Sequence, residues 1–476
     1  MPRAIVNIMK RGAMRTTPLC WVIAVVVGLG PLSSAQAPFA TESSTQPLGQ
    51  CPSEIVAADM NGDGHLDLVV ANHHTHDISV LIGDGTGALV SLPATPVPGL
   101  LDPHDMSIVV RDFNQDGFLD AAVPSHANSE VIRFLGDGTG ALLDPVQYAV
   151  GAFTLRVTSA DLNGDGYLEL ISVNRDDDSV SVLFGDGAGA FGNRLDVTVG
   201  VGPTFVAADD VDGDGSVDLV TADSIGQTFT VLWGLGNGTF EPAQTSPPIG
   251  ITSSLAISDL DGDGVYDIAV THGDSMSLFT GLGSRTFSAP VDLAVGLGAR
   301  YVIATDYQGD GLPDLVISLA NQSALAFFAG VGDGTFTDAG TLPVGGNPWA
   351  VVAADLDEDG ALDFAATNED DNTLTLHLNR GPVGRFDRGD ANGDGGRDIS
   401  DAITLLGRLF DPLASATTCE DADDVNDDGA LDIADPILLL TALFGSGAVI
   451  PPPTGTCDTD PTPDGLSCDT LRSSCT

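Results

Sequence analysis

Through most of the chain, short apolar runs alternate with polar turns in a fixed order. A run such as Ile55-Val56-Ala57-Ala58 or Val351-Val352-Ala353-Ala354 enters an Asp-rich loop, and a second, such as Leu66-Asp67-Leu68-Val69-Val70 or Tyr266-Asp267-Ile268-Ala269-Val270, leaves it. A third follows a polar turn, as in Val180-Ser181-Val182-Leu183-Phe184 and Phe229-Thr230-Val231-Leu232-Trp233. A glycine turn then leads into a less regular fourth run, as at Gly83-Asp84-Gly85-Thr86-Gly87, Gly136-Asp137-Gly138-Thr139-Gly140 and Gly185-Asp186-Gly187-Ala188-Gly189. Short β-branched runs between Gly, Asp and Asn turns predict strands. The glycine turns sit between strands, with no helix and no Lys after them, so they read as hairpin turns and not as phosphate cradles.

The order repeats. The pattern Asp-x-(Asn/Asp)-x-Asp-Gly-x-x-Asp starts at Asp59, Asp112, Asp161, Asp210, Asp259, Asp306 and Asp355, with Glu in place of the last Asp in the third copy and Gln in place of Asn/Asp in the sixth. The steps are 53, 49, 49, 49, 47 and 49 residues. Four strands per unit at this period predict propeller blades. A linear solenoid is the competing architecture, but the units lack distinct polar caps, which favours closure into a ring. Six units carry the fourth run, as in Phe191 to Gly200 and Phe336 to Gly345, while the seventh ends after Leu374-Thr375-Leu376-His377-Leu378. A run of the missing kind spans Phe39 to Gly49, so residues 38–50 are expected to supply the outer strand of the seventh blade.

Each Asp loop places oxygen donors at positions 1, 3, 5 and 9, a Gly at position 6 and a free carbonyl at position 7. Ca²⁺ takes six to eight oxygens at about 2.3–2.6 Å, and a nine-residue loop of this kind can wrap them around one point. The candidate ligands are Asp59, Asn61, Asp63 and Asp67, with the His65 carbonyl; Asp112, Asn114, Asp116 and Asp120; and Asp161, Asn163, Asp165 and Glu169. The fourth and fifth loops offer Asp210, Asp212, Asp214 and Asp218, then Asp259, Asp261, Asp263 and Asp267. The last two offer Asp306, Gln308, Asp310 and Asp314, with Pro313 at position 8, then Asp355, Asp357, Asp359 and Asp363. A simple β-turn accounts for Gly and one or two Asp. It does not account for four oxygen donors held in register through seven copies.

These units resemble the FG-GAP/VCBS repeats of secreted bacterial proteins and are similar to those of the integrin α-subunit propeller. The resemblance covers roughly residues 38–385 and implies a seven-bladed propeller with structural Ca²⁺. It implies no catalytic activity, because function sits in sites and not in folds.

After Gly381-Pro382 the pattern changes. Asp390, Asn392, Asp394, Asp398 and Asp401 fall at positions 1, 3, 5, 9 and 12 of an EF-hand-like loop, with Gly395 at position 6, and a helix is predicted from Ala402 to Phe410. The unit recurs 34 residues later with Asp424, Asn426, Asp428, Gly429, Asp432 and Asp435, followed by Pro436 to Phe444. Ile403, Leu406 and Phe410, like Ile437, Leu440 and Phe444, recur at helical spacing and predict a shared core. The pair resembles a type I dockerin, which implies calcium-dependent docking onto a cohesin-type protein through residues 386–447. Arg397 at position 8, and the pairs Ile399-Ser400 and Ile433-Ala434, depart from that family's usual pattern and leave the partner open. Arg388-Gly389-Asp390 is set aside as an integrin-ligand motif because Asp390 is already the first calcium ligand. The expected fold is therefore an all-β seven-bladed propeller (38–385) followed by a small α-helical, dockerin-like paired F-hand domain (386–447) and a Pro/Cys-rich tail (448–476).

Composition narrows the function. The chain has 476 residues and a net charge of -50, with 67 Asp+Glu against 17 Lys+Arg. Acidity of this size excludes nucleic acid and anionic membrane surfaces as partners. Lys10, Arg11 and Arg15, the apolar run Leu19–Leu29 and Ala35-Gln36-Ala37 make residues 1–37 a secretory signal, too short for an anchor. A secreted protein without a transmembrane anchor is expected, with association at a cell surface as a variant of that localisation. Cys51 stands alone, whereas Cys419, Cys457, Cys468 and Cys475 cluster near the end, where three pairings are open.

His73, His74 and His76 crowd one loop and are weighed as a Zn²⁺ or Cu²⁺ site against a solvated loop, with the loop preferred. No Ser/His/Asp elbow, H-E-x-x-H or Cys/His zinc spacing is present, and carboxylates are too common for proximity to mark a glycosidase. Two functions remain. One is an extracellular calcium-binding adhesion or scaffold propeller recognising a protein or glycan, with about seven Ca²⁺ in the propeller and two in the dockerin-like module. The alternative is a polysaccharide-degrading hydrolase or lyase built on the propeller.

Overall fold

A computed structural model describes residues 41–99, 107–379, 391, 399–410, 423–426, 431–444 and 450. The segment expected to be a signal (1–37), Arg388 to Asp390, and the tail cysteines lie outside the described residues.

The repeated runs fold into seven antiparallel sheets of four strands, the first with a short fifth strand, Thr95–Pro96. The third blade is representative: Thr154–Ala160, Glu169–Asn174, Ser179–Gly185 and Phe191–Thr198 pair in sequence order. The first strand of each blade lies beside the first strand of the next. The circuit closes where Pro52–Ala58 meets Pro348–Ala354. The protein is a seven-bladed β-propeller.

Closure follows the expected route. Thr41–Pro47 pairs antiparallel with Thr373–Asn379 of the seventh blade, from Thr41 opposite Asn379 to Pro47 opposite Thr373. The Leu48 N–H continues the ladder to the Asn372 carbonyl at 3.0 Å, and the Cys51 N–H donates to Asn372 Oδ1 at 2.8 Å.

The second strands are buried on both faces, as in Asp67–Asn72 and Asp363–Asn368, so they read as continuous apolar runs instead of alternating ones. Their side chains meet those of neighbouring blades in seven apolar clusters. Val69 and Ile78 face Ala121 and Ile132 between the first two blades, and Leu68 and Leu81 face Leu374 and Leu376 where the ring closes. A fully buried aliphatic side chain contributes roughly 1.5–3 kcal/mol, so each blade is stabilised mainly by its neighbours.

The six glycine turns are hairpins between third and fourth strands. The glycine that ends the third strand is needed for close backbone approach. A Cβ at Gly83 would sit 2.2 Å from the Leu66 carbonyl oxygen, and one at Gly330 would sit 2.2 Å from that of Pro313.

Two helices follow the propeller, α1 (Ile399–Phe410) and α2 (Ala434–Phe444), packed on each other. Their buried apolar side chains are Ala402, Leu405, Pro436 and Leu439, of which Ala402, Leu405 and Leu439 cluster with Ala391, Val425 and Ile450. This corrects the expected core. Leu406 and Leu440 are only partly buried, while Ile403, Phe410, Ile437 and Phe444 are exposed, the two phenylalanines at 71% and 72%. The helical period identified an apolar stripe, but the helices bury the adjacent face, which carries the position-12 carboxylates Asp401 and Asp435.

Cys51 also differs from expectation. It is disulfide-bonded, and the other five cysteines all lie outside the described residues. Among the described residues no helix is long and apolar enough to cross a membrane.

Candidate metal sites

Every Asp loop joins the first strand of a blade to its second, and all seven share one hydrogen-bond frame. The position-6 glycine N–H donates to the position-1 carboxylate in each: Gly64 to Asp59, Gly117 to Asp112, Gly166 to Asp161, Gly215 to Asp210, Gly264 to Asp259, Gly311 to Asp306 and Gly360 to Asp355, at 2.7–3.0 Å. The position-7 N–H donates to the position-5 carboxylate in each, as His65 does to Asp63 at 2.9 Å and Ala361 to Asp359 at 2.9 Å. Position 3 accepts from the position-5 N–H, as Asn61, Asn114, Asn163, Asp212 and Asp261 do. These short-range bonds turn the loop tightly and hold the carboxylates close despite their repulsion.

Position 9 opens the second strand and is buried in every blade. Asp67 accepts from the Met60 N–H and, 16 residues on, from the Gly83 N–H, both at 2.8 Å. Asp120, Asp218, Asp267, Asp314 and Asp363 accept the corresponding pair. Glu169 uses its longer arm to accept from the Leu162 N–H at 2.7 Å and from Asn163 Nδ2 at 3.3 Å. The residue is thus a staple between loop and sheet. An ionised carboxylate has about four lone-pair sites, so two remain for a cation.

Burial raises the pKa of all seven, and most are raised further by the acids at positions 1, 3 and 5. Asp218, Asp267 and Asp314 are pushed up to about 6, and Glu169 and Asp363 to about 7. Asp67 and Asp120 move in the same direction. A cation bound beside such a group would hold it ionised.

The donor set fits one. Three groups of carboxylates have ligand atoms within 4.8 Å of one another: Asp210, Asp212 and Asp218; Asp259, Asp261 and Asp263; Asp355, Asp357 and Asp359. These are the loops with Asp at position 3. The other four have an amide there, Asn61, Asn114, Asn163 or Gln308, which offers a neutral oxygen on the same loop frame. The Gln308 N–H instead donates to Asp314 at 3.3 Å.

The fourth loop has an occupant of its own. Arg285, from the glycine turn of the fifth blade, places Nε 2.5 Å from Asp212 Oδ2 and an NH group 2.9 Å from Asp214 Oδ2. It also pairs with Glu241 and lies over Trp233. The repeat pattern hid this residue, although an Arg where other blades have Gly is a visible departure.

Beyond the propeller, Asp401, Asp424 and Asp435 are buried, and Asp435 accepts from the Asp432 N–H at 2.8 Å and the Asn426 N–H at 3.3 Å. Asp390, Asn392, Asp394, Asp398 and Asp428 lie outside the described residues. In the histidine loop, the His73 and His74 N–H groups bond the Cys51 and Gln50 carbonyls, which makes it a pinned turn. The histidines form no group of three ligands among the described residues.

A model of the FG-GAP-like repeat matches six overlapping stretches, 59–123, 112–172, 161–221, 210–270, 259–317 and 306–366. Together they span well over half of the chain. No curated protein matches. Among solved structures, BBS1N in complex with ARL6DN is 13% identical, covering 72% of this chain and 97% of that one, with a TM-score of 0.51. Virginiamycin B lyase from Staphylococcus aureus is 11% identical over 71% of this chain and 99% of its own, with a TM-score of 0.50. A streptogramin B lyase is 12% identical over 72% and 100%, also with a TM-score of 0.50. At these identities the likeness is one of fold.

Proposed function

The chain belongs to the FG-GAP-like repeat family, and from that premise we propose that it is a secreted, calcium-loaded propeller serving as an extracellular binding or scaffold protein. The observation that carries this reading is the loop frame repeated in all seven blades, which gathers oxygen donors and buried carboxylates of raised pKa at one point per blade. Ca²⁺ would be held by positions 1, 3, 5 and 9 and by the position-7 carbonyl. Its contribution is structural, since it neutralises clustered acids that join the first strand, the second and the end of the third.

Calcium titration by calorimetry, with melting in calcium and in EGTA, tests this. A ligand bound only by the folded state at 100 times its Kd stabilises by about 2.7 kcal/mol per site, so chelation should lower the melting temperature by well over 10 °C. An unchanged melting temperature sinks the reading.

For residues 386–447 we propose calcium-dependent docking onto a cohesin-type protein. Support comes from the helical pair, which leaves Ile399, Ile403 and Phe410 exposed on α1, Ile437 and Phe444 on α2, and Ile433 immediately before α2. Each residue is 34 positions from its counterpart, and paired exposed apolar surface of this kind marks interaction sites. Phe410→Ser with Phe444→Ser in the full chain should abolish cohesin capture without moving the propeller's melting transition. Capture that persists removes this surface from consideration.

A further inference from the structure

The propeller axis carries a chemistry that the repeats do not. Five residues before each Asp loop, in or just ahead of the first strand, stand Glu54, Ser107, Arg156, Phe205, Ser254, Tyr301 and Ala350, six residue types in seven blades, with Ser in two of them. The very next position, by contrast, is a buried aliphatic residue in all seven blades: Ile55, Ile108, Val157, Val206, Leu255, Val302 and Val351. In six blades the strand register shifts next to this position, as between Pro52 and Ile55, Thr154 and Arg156, and Thr252 and Leu255. Bulges re-aim side chains, and five of the seven, Glu54, Ser107, Arg156, Phe205 and Tyr301, line a cavity of about 270 Å³. Its floor is buried, at Glu54, Phe205 and Thr252, and its rim is half-exposed, at Thr204, Ser253 and Trp349.

The charges inside are answered. Arg156 pairs with Glu54, and Tyr301 OH donates to Glu54 Oε1 and accepts from Arg156, each at 3.0 Å. The Arg156 guanidinium lies 3.8 Å from the Phe205 ring centroid. Arg300 lies 3.3 Å from that of Trp349 and bonds Asn347 at 3.0 Å and Glu369 at 2.9 Å.

Two polar atoms are left over. Glu54 Oε2 and Thr252 Oγ1 make no well-formed hydrogen bond, the Ile108 backbone N–H being the one further group that reaches the Glu54 carboxylate, with Glu54 at 4% and Thr252 at 2% exposure. A buried unsatisfied polar atom costs about 1–3 kcal/mol, which a ligand's polar group can recover.

We infer that the axial cavity binds one residue of a neutral sugar. A second cation at Glu54 would be repelled by Arg156, and an anion by Glu54. A carboxylate beside a guanidinium instead matches a vicinal diol, in which one hydroxyl donates to Glu54 Oε2 and its neighbour accepts from Arg156. Thr252 Oγ1 serves a third hydroxyl, and Trp349 borders the ring's apolar edge. The volume is near the lower end for small-molecule sites and suits a single pyranose.

This inference rests on the propeller being a binding unit. The test titrates the calcium-loaded full chain with the methyl glycosides of glucose, galactose and mannose, and separately with glucosamine and glucuronate, by saturation-transfer NMR and calorimetry. At least one neutral glycoside should bind with a millimolar or tighter Kd and outcompete both charged sugars. Thr252→Val, which is isosteric and leaves the ion pair intact, and Glu54→Gln should each weaken it about tenfold or more, the size of one charge-assisted or buried hydrogen bond. No binding by any neutral glycoside, preference for a charged sugar, or equal binding by a folded Thr252→Val variant overturns the inference. Glycan binding by the whole chain that both variants retain would overturn the cavity alone and leave the binding function standing. Release of reducing sugar from a bound glycoside would uphold the cavity and overturn the non-catalytic reading.

Discussion

Arg285 stands where five other blades have Gly87, Gly140, Gly189, Gly238 and Gly334, all with positive φ, and it keeps that conformation at φ 61°. A non-glycine residue there is costly. Position 3 of the preceding loop lies against this turn: Asn114 is near Gly189, Asn163 near Gly238 and Asp261 near Gly334. In the fifth blade the same geometry delivers a guanidinium to Asp212 and Asp214. The fourth loop thus combines four acids with a built-in counter-ion, with which a calcium ion would have to compete. Arg285→Gly should therefore raise the calcium affinity of that loop by about tenfold, a difference of 1.4 kcal/mol, visible in calorimetry as one site moving toward the others. An unchanged isotherm would show that Arg285 and calcium bind the loop without interference.

At the scale of strands and helices, the closing strand is the part most open to test. Thr41–Pro47 adds seven residue pairs to the seventh blade, and without it Thr373–Asn379 becomes an unpaired edge, a state that proteins avoid. Deleting residues 38–50 should lower the melting temperature sharply and promote association; a small change in both would show that the blade tolerates an open edge. This strand was legible in the sequence because a repeat missing from one end and present at the other leaves few alternatives. The Asp loops were legible for a similar reason, since seven copies average out local noise. The helical pair was not read as well. Ile403, Phe410, Ile437 and Phe444 have helical spacing, but spacing alone does not say which face meets a partner, and the buried Asp401 and Asp435 drew the core to the other side. The axial residues Glu54, Arg156 and Tyr301 escaped because they lie far apart in the chain and belong to no shared pattern, although their departure from the repeats was visible.

Taken whole, the ring concentrates acid. The seven loops hold 24 acidic ligand candidates among the chain's 67 Asp and Glu, with one buried carboxylate of raised pKa per blade. A carboxyl whose folded pKa lies above its unfolded value holds its proton more tightly when folded. Its stabilisation is full below about pH 4 and is lost as pH rises through about 6–7. Bound calcium would reverse the preference, because it takes the ionised form. Melting in EGTA should therefore fall between pH 5 and 8, while melting in saturating calcium should not, so the two profiles diverge; parallel profiles would separate these carboxylates from metal binding.

The strand that closes the ring also sets how the propeller bears mechanical load. Its pairing begins with Thr41 opposite Asn379, so the chain enters and leaves the ring at the same end of one antiparallel ladder. Tension between the two ends acts across that ladder and opens it like a zipper, one residue pair at a time, instead of shearing all seven pairs together. If the molecule is held from both sides under flow, the closing strand is its first point of yield, and the other six blades are exposed to force only after it has peeled away.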